Sequence, residues 1–224
     1  MTAYIALEPN EHMHERLREK ARESGFEEAD GSLLILSCGM EDVDQIGDIL
    51  DDWARRWGRE VKDGKTVDTI LSILTLCSVP ARPSTSTKHS SAAHSTPPAE
   101  TIRALQTRVL RPGGQLLFYE HVRSPIPTIA RAQDIVAPIW RLFFDGCTIG
   151  VDAVRASWEA GFEKPDTDPR EMNSLLWSED DRGVRSWRVE SGENGWAEMF
   201  TWGNKGEQPE SLFWHQSGRC RKRL

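Results

Sequence analysis

The chain of 224 residues lacks any long apolar run. No stretch approaches the length that spans a bilayer, and the N-terminus carries no apolar segment of signal-peptide length. A soluble, cytoplasmic chain without a membrane span is the expectation. Basic charge is also scarce: 28 Lys and Arg against 35 Asp and Glu leave a net charge of −7. That balance excludes nucleic acid as the expected partner, which demands a basic patch. The cluster Arg219, Arg221, Lys222, Arg223 is short and reads as a solvated terminus. Only four cysteines occur, Cys38, Cys77, Cys147 and Cys220, and no two share C-x-x-C spacing. Three stand among apolar or small residues, so buried thiols are expected rather than metal ligands. His89 and His94 have no carboxylate or cysteine beside them, and no metal site is read from them. Hydrophobic residues, at 38%, fall short of a compact domain's share, and the shortfall is concentrated in particular stretches.

The apolar residues that are present fall into alternating periods. Tyr4-Ile5-Ala6-Leu7 ends at Glu8, and Pro9-Asn10 breaks the run. Asn10 caps a helix that places Met13, Leu17 and Ala21 on one face, and Gly25 suits its C-terminal stop. Leu33 to Leu36 reads as a buried strand; Val43, Ile46, Leu50, Trp53 and Trp57 mark an amphipathic helix. Residues 67–76 fit a strand covered on both faces. A helix over 99–110 carries Ile102, Leu105 and Val109, a strand follows over 115–122, and helical spacing returns over 126–144. Val151, Val154 and Trp158 open a further helix. Such alternation predicts a doubly wound α/β sheet over residues 1–164.

Two stretches break that pattern. Residues 81–98 are Ser, Thr, Pro, Ala and His with almost nothing to bury, so a disordered loop is expected. Residues 165–224 are charged and Gly-rich, and no period organises Trp177, Trp187, Trp196, Trp202 and Trp214. A poorly ordered tail is expected there, an indole-lined recognition surface being the other reading.

The strongest local signal is Arg108-Val109-Leu110-Arg111-Pro112-Gly113-Gly114, where a helix meets Pro and two Gly before a core strand ending at Tyr119-Glu120-His121. This segment resembles the R-V-L-[KR]-P-G-G stretch of class I S-adenosylmethionine (SAM)-dependent methyltransferases. Leu74-Thr75-Leu76-Cys77-Ser78-Val79 before it, and Trp140 through Phe144-Asp145-Gly146-Cys147 after it, are similar in order to the small thiol methyltransferase group.

The resemblance implies a Rossmann-like sheet, SAM as cofactor and a small-molecule acceptor, either a thiol or a phenol or quinone-like ring. It implies that Glu8, at the end of the family's second strand, accepts hydrogen bonds from the SAM ribose; read alone, Glu8 is an acid facing a helix dipole. It places the backbone of Met40 and an acid at Glu41 or Asp42 beside adenine, where many relatives carry an acid at the position of Gly39. It places Leu74 and Thr75 beside the methionine portion. For the acceptor's proton it offers Glu120 and His121, with His121 the preferred base, unless that ring only hydrogen-bonds a neighbouring loop. Asp145 either orients substrate or caps a turn. The family's G-x-G-x-G loop has no counterpart before Glu8, nor elsewhere. The sheet is therefore expected to be incomplete, lacking its first strand between 4–7 and 68–76, and the closing hairpin after Phe162 cannot be traced. A catalytically dead remnant that acts as a binding or scaffold protein is the alternative.

These periods make one direct prediction. Limited proteolysis should cut first within residues 81–98 and after Pro165, and early cleavage inside 67–76 would overturn the element assignment.

Overall fold

The computed structural model describes residues 2–79, 97–124, 126–144, 146–151, 153–161, 184–187, 195–203 and 211–224. Strands β1 (Tyr4–Leu7) and β2 (Leu33–Leu36) pair in parallel, Tyr4 opposite Leu33 and Leu7 opposite Leu36. Helix α1 (His14–Glu23) joins them, entered through a 3-10 turn over Glu11–Met13 whose His12 N–H donates to the Asn10 side chain at 3.1 Å. Asn10 thus caps as its position predicts. The tighter 3-10 turn rotates the start of the helix, so Met13 is exposed and His14 is buried in its place. Helix α2 (Val43–Trp57) turns Val43, Ile46 and Leu50 inward, as their spacing requires, and ends at Gly58 in the left-handed region.

A second sheet holds the rest. Strand β3 (Val67–Ile73) pairs in parallel with β4 (Leu110–His121), and helix α3 (Pro97–Arg108) crosses between them. Helices α4 (Pro127–Phe143) and α5 (Ala153–Gly161) follow, then β5 (Val184–Trp187), β6 (Trp196–Gly203) and β7 (His215–Lys222). The strand order is β3-β4-β7-β6-β5, with β7 antiparallel to β4 and to β6. Among the described residues no strand stands between β1 and β3, so each keeps one unpaired edge. The α/β alternation read from the sequence is observed, but as two sheets, one of two strands and one of five, rather than as one.

The two sheets share their packing. Leu36, Val43, Ile46, Leu50, Leu105 and Val109 form one core; Leu110, Leu116, Phe118, Val154, Trp196 and Cys220 belong to the other. Met40, Val67 and Ile70 pack against both. Helix α3 serves both sides, Ile102 facing the second core while Leu105 faces the first. At its end the Arg108 guanidinium reaches Asp48 at 3.0 Å and Asp51 at 2.9 Å on α2. Arg111 of the same motif meets Asp68 of β3 at 3.0 Å, so both arginines have structural work. Val67 pairs with Leu110 but Thr69 with Gln115, so residues 111–114 bulge out at the start of β4 rather than preceding the strand as a free turn. Gly113 takes φ +74 there, a conformation that costs side-chain-bearing residues more. Helix α4 leaves Ile135, Ile139, Leu142 and Phe143 exposed, so its apolar spacing does not mark a wholly buried helix.

The described part of residues 165–224 corrects the expectation of a poorly ordered tail without a closing hairpin. Strands β6 and β7 form that hairpin, and its inward residues Trp196, Met199 and Cys220 are fully buried. The Trp196 indole N–H donates to the Ser157 carbonyl of α5 at 2.8 Å. Trp214 is buried too, while Trp177 lies outside the described residues. The expected loop of residues 81–98 falls outside them up to residue 96; Pro97 and Pro98 already belong to α3.

Hairpin and helix meet closely at Gly161, where an added Cβ would lie 1.6 Å from Trp196 Cδ1. Gly161→Ala should therefore cost about 1–3 kcal/mol by overpacking. Urea unfolding measures it, and an unchanged midpoint would mean that the hairpin is not seated on α5.

Candidate functional site

Glu8, Met40, Glu41, Asp42, Leu74, Thr75, Glu120 and His121 all lie at or just beyond the carboxyl ends of β1 to β4, which is the edge where open α/β sheets bind ligands. Glu8 follows β1 directly, and its backbone N–H continues the ladder to the Leu36 carbonyl at 3.0 Å. Its Oε1 accepts the Asn10 N–H at 2.8 Å, and its carbonyl meets His14 Nε2 at 2.8 Å. The half-buried carboxylate is thus oriented by the chain that leaves the strand.

After β2 the chain turns through Cys38, Gly39, Met40 and Glu41 into α2, with the Asp42 N–H donating to the Gly39 carbonyl at 3.2 Å. Met40 sends its side chain into the seam between the two cores. That seam, lined also by Ile70, Ile102, Leu105, Leu116 and Trp196, has no room for a water molecule. The Glu41 carboxylate folds back over Gly39: a Cβ there would lie 2.3 Å from Glu41 Oε2. Glu41 therefore occupies the space that a side chain at position 39 would take. Asp42 is exposed at the N-cap of α2 and makes no side-chain capping bond. Burial raises the pKa of the Cys38 thiol, and the charges of Asp42 and Glu41 add to the effect.

The end of β3 is the most constrained part of this edge. Leu74 sits at φ +54, although it is neither Gly nor Asn, and its N–H donates to the Tyr119 carbonyl at 2.8 Å. Left-handed backbone at such a residue costs roughly 1–3 kcal/mol and persists only where neighbours impose it. The neighbour is Glu120, whose side chain is wholly buried. Its Oε1 accepts from Ser72 Oγ at 2.7 Å and from the Thr75 N–H at 3.1 Å; Oε2 accepts from the Leu76 N–H at 3.2 Å. Burial raises the Glu120 pKa, and these donors oppose it. The carboxylate is committed to holding the turn after Leu74.

Glu120 and His121 do not act on a common point. Successive strand residues face opposite sides of a sheet, so Glu120 turns toward the α3 side with Leu116 and Phe118, and His121 turns away. There the His121 ring lies 4.2 Å from that of His215, which stacks on Tyr119 at 5.1 Å. Asp145, His89 and His94 lie outside the described residues. Among the described residues no cluster of His, Cys, Asp and Glu is placed to hold a metal, and no helix is long and apolar enough to cross a membrane.

The structure adds three residues to those read from the sequence. Ser72 is buried against Glu120, and its one available signal was a small polar residue inside an apolar run. Gln133 of α4 is buried as well: its side-chain oxygen accepts the Ser124 N–H at 2.9 Å, and its amide donates to the Val122 and Leu212 carbonyls. His215 came from a stretch without readable period.

Comparison with known proteins agrees with this architecture. No family model matches the chain. Human thiol S-methyltransferase TMT1A is 34% identical over 106 residues, 47% of this chain and 36% of that protein. Human thiol S-methyltransferase TMT1B is 31% identical over 102 residues, 45% of this chain and 33% of that protein. Over those stretches the chain is similar to these thiol S-methyltransferases. The matches span only about a third of the curated relatives' length. Among solved structures, a Thermobifida fusca protein assigned as a methyltransferase superposes with TM-score 0.53 at 15% identity, covering 99% of this chain and 64% of that one. That likeness speaks to the fold.

The Glu120 geometry yields a prediction. Glutamine offers a single oxygen, so in Glu120→Gln at least one of the Thr75 and Leu76 N–H groups meets an NH2 group. A loss of about 1–3 kcal/mol in urea unfolding is expected, with faster hydrogen exchange at Leu74 to Leu76. Unchanged stability would return Glu120 to the role of an uncommitted, reactive carboxylate.

Proposed function

We propose that this chain carries the ribose-, adenine- and methionine-facing edge of a SAM-dependent methyltransferase acting on a small thiol or phenol-like acceptor. One observation carries the reading: Glu8 stands at the carboxyl end of β1 with one carboxylate oxygen fixed by the Asn10 N–H and the other uncommitted to the hydrogen bonds of the described residues. A carboxylate so held suits two adjacent hydroxyl donors, as a ribose presents. The Glu41 carboxylate above Gly39 supports the adenine assignment, since it supplies an acid where many relatives have one at position 39 itself. The strained Leu74 and the Thr75 turn support a surface pre-shaped for the methionine portion.

SAM when bound supplies an electrophilic methyl group. The chain's own share is to bind, orient and deprotonate. Glu8 would hold the ribose, the Met40 backbone and Glu41 the base, with Asp42 the further acid beside it, and Leu74 and Thr75 the amino-acid end. His121 is half-exposed beside His215, and an imidazole placed so is the group suited to take a proton from a thiol or phenol. Glu120 contributes by fixing the Leu74 turn rather than by meeting the acceptor.

The second reading, a binding or scaffold protein without catalysis, draws support from the split between β1 and β3. A SAM titration and a methyl-transfer assay with thiol and phenol acceptors separate the two. The chain alone should bind SAM weakly. With a strand and G-x-G-x-G loop joined ahead of β1, Glu8→Ala should weaken SAM binding by about 1–3 kcal/mol, while His121→Ala slows turnover with SAM affinity kept. SAM affinity unchanged in Glu8→Ala removes the ribose assignment, and absent transfer in the joined form favours the scaffold.

A further inference from the structure

Cys77 lies in a 3-10 turn over Leu76–Ser78, just beyond the strained Leu74. Its sulfur is 2.8 Å from the sulfur of Cys147, a residue 70 positions later in the loop between α4 and α5. Both thiols are free. The two loops are also joined by backbone, the Thr148 N–H donating to the Cys77 carbonyl at 2.9 Å, while the Cys147 N–H closes its own loop on the Phe144 carbonyl at 2.9 Å. A disulfide needs about 2.05 Å between sulfurs, so closure asks for a shift of under about 1 Å.

We propose that Cys77 and Cys147 form a reversible disulfide, a thiol-oxidation site whose co-substrate is a small-molecule disulfide of the glutathione type. The proposal does not depend on the methyltransferase reading. Three features select this pair. The contact is already made, Cys147 is half-exposed while Cys77 is buried, and the other two cysteines sit elsewhere, Cys38 in the α2 core and Cys220 inside β7. Burial, followed by the contact with Cys147, raises the pKa of the Cys77 thiol, so the first attack falls to Cys147.

The exchange balances in two steps. The Cys147 thiolate attacks one sulfur of the small disulfide, that S–S bond breaks, and one small thiolate leaves, taking up the proton that Cys147 gave. The Cys77 thiolate then attacks Cys147 Sγ, the mixed disulfide breaks, and the second small thiolate leaves with the Cys77 proton. Two protein thiols are oxidised and one small disulfide is reduced to two thiols. Closure also removes the Cys77 S–H, which points at the Leu74 carbonyl at 3.7 Å, and ties the turn after β3 covalently to residues 146–151. Oxidation therefore acts on the constrained edge of the sheet.

The test uses the whole chain with excess oxidised glutathione, alkylation with N-ethylmaleimide after denaturation, and intact and peptide mass spectrometry. The expected product is lighter than the reduced chain by two hydrogens before alkylation. It takes up two maleimide groups instead of four, and it yields one cross-linked peptide pair joining Cys77 to Cys147 that dithiothreitol releases. In Cys147→Ser the cross-link and the fast oxidation should both vanish. In Cys77→Ser a glutathione adduct should persist on Cys147, because the resolving thiol is gone. Four alkylated thiols in the oxidised wild type, a stable adduct on Cys147 with Cys77 still free, or any other pairing would each overturn the proposal. The wild-type mass data decide it even if the buried Cys77→Ser variant does not fold.

Discussion

A carboxyl group taken wholly out of water must be met by donors, and at Glu120 they come from three points of one other segment: Ser72, Thr75 and Leu76. Much of the candidate edge follows from that one arrangement. The bonds stop β3 after Ile73, force the chain through the left-handed conformation at Leu74 and bring Leu76 and Cys77 into the core. Because Glu120 is itself locked in the β4 ladder between β3 and β7, the geometry of the turn is tied to the whole second sheet. The side chain that the sequence offered for chemistry is bonded, in the fold, to the turn that follows β3.

The division between what was legible and what was not follows from packing. Elements from β1 to β4 could be read because Leu, Ile, Val and Ala recur in them at regular spacing, although β3, read as covered on both faces, leaves Leu71 and Ile73 exposed. The closing hairpin could not. The inward face of β7 consists of Gln216, Gly218 and Cys220, and Gly218 is required there because a Cβ would lie 2.1 Å from the Phe118 ring. In β6 a register irregularity between Trp196 and Glu198 breaks the two-residue period, so Trp196 and Met199 both point inward despite being three apart. No periodic template recovers such a strand.

The placement of the candidate residues was partly legible for the same reason. Glu8, Gly39 to Asp42 and Leu74 to Thr75 follow strand ends, and strand ends were readable. The partners of Glu120 were not, since they lie more than forty positions away and include two backbone groups that no side-chain pattern betrays. The strain at Leu74 is equally silent in sequence, because leucine is not a residue that announces left-handed backbone. Likewise, the opposition of Glu120 and His121 needs only the pleat of β4, but it becomes visible once β7 supplies His215 on one face and α3 the apolar cover on the other.

The bare edges of β1 and β3 have a consequence for the chain as a material. Among the described residues neither edge has a strand beside it, and β3 adds Leu71 and Ile73, both more than half exposed. Natural sheets blunt such edges with charge, proline or a covering segment, and along β3 only Asp68 serves that end. An apolar, charge-poor edge of this kind is the geometry that recruits strands from neighbouring molecules, and it bears on how the chain behaves when concentrated.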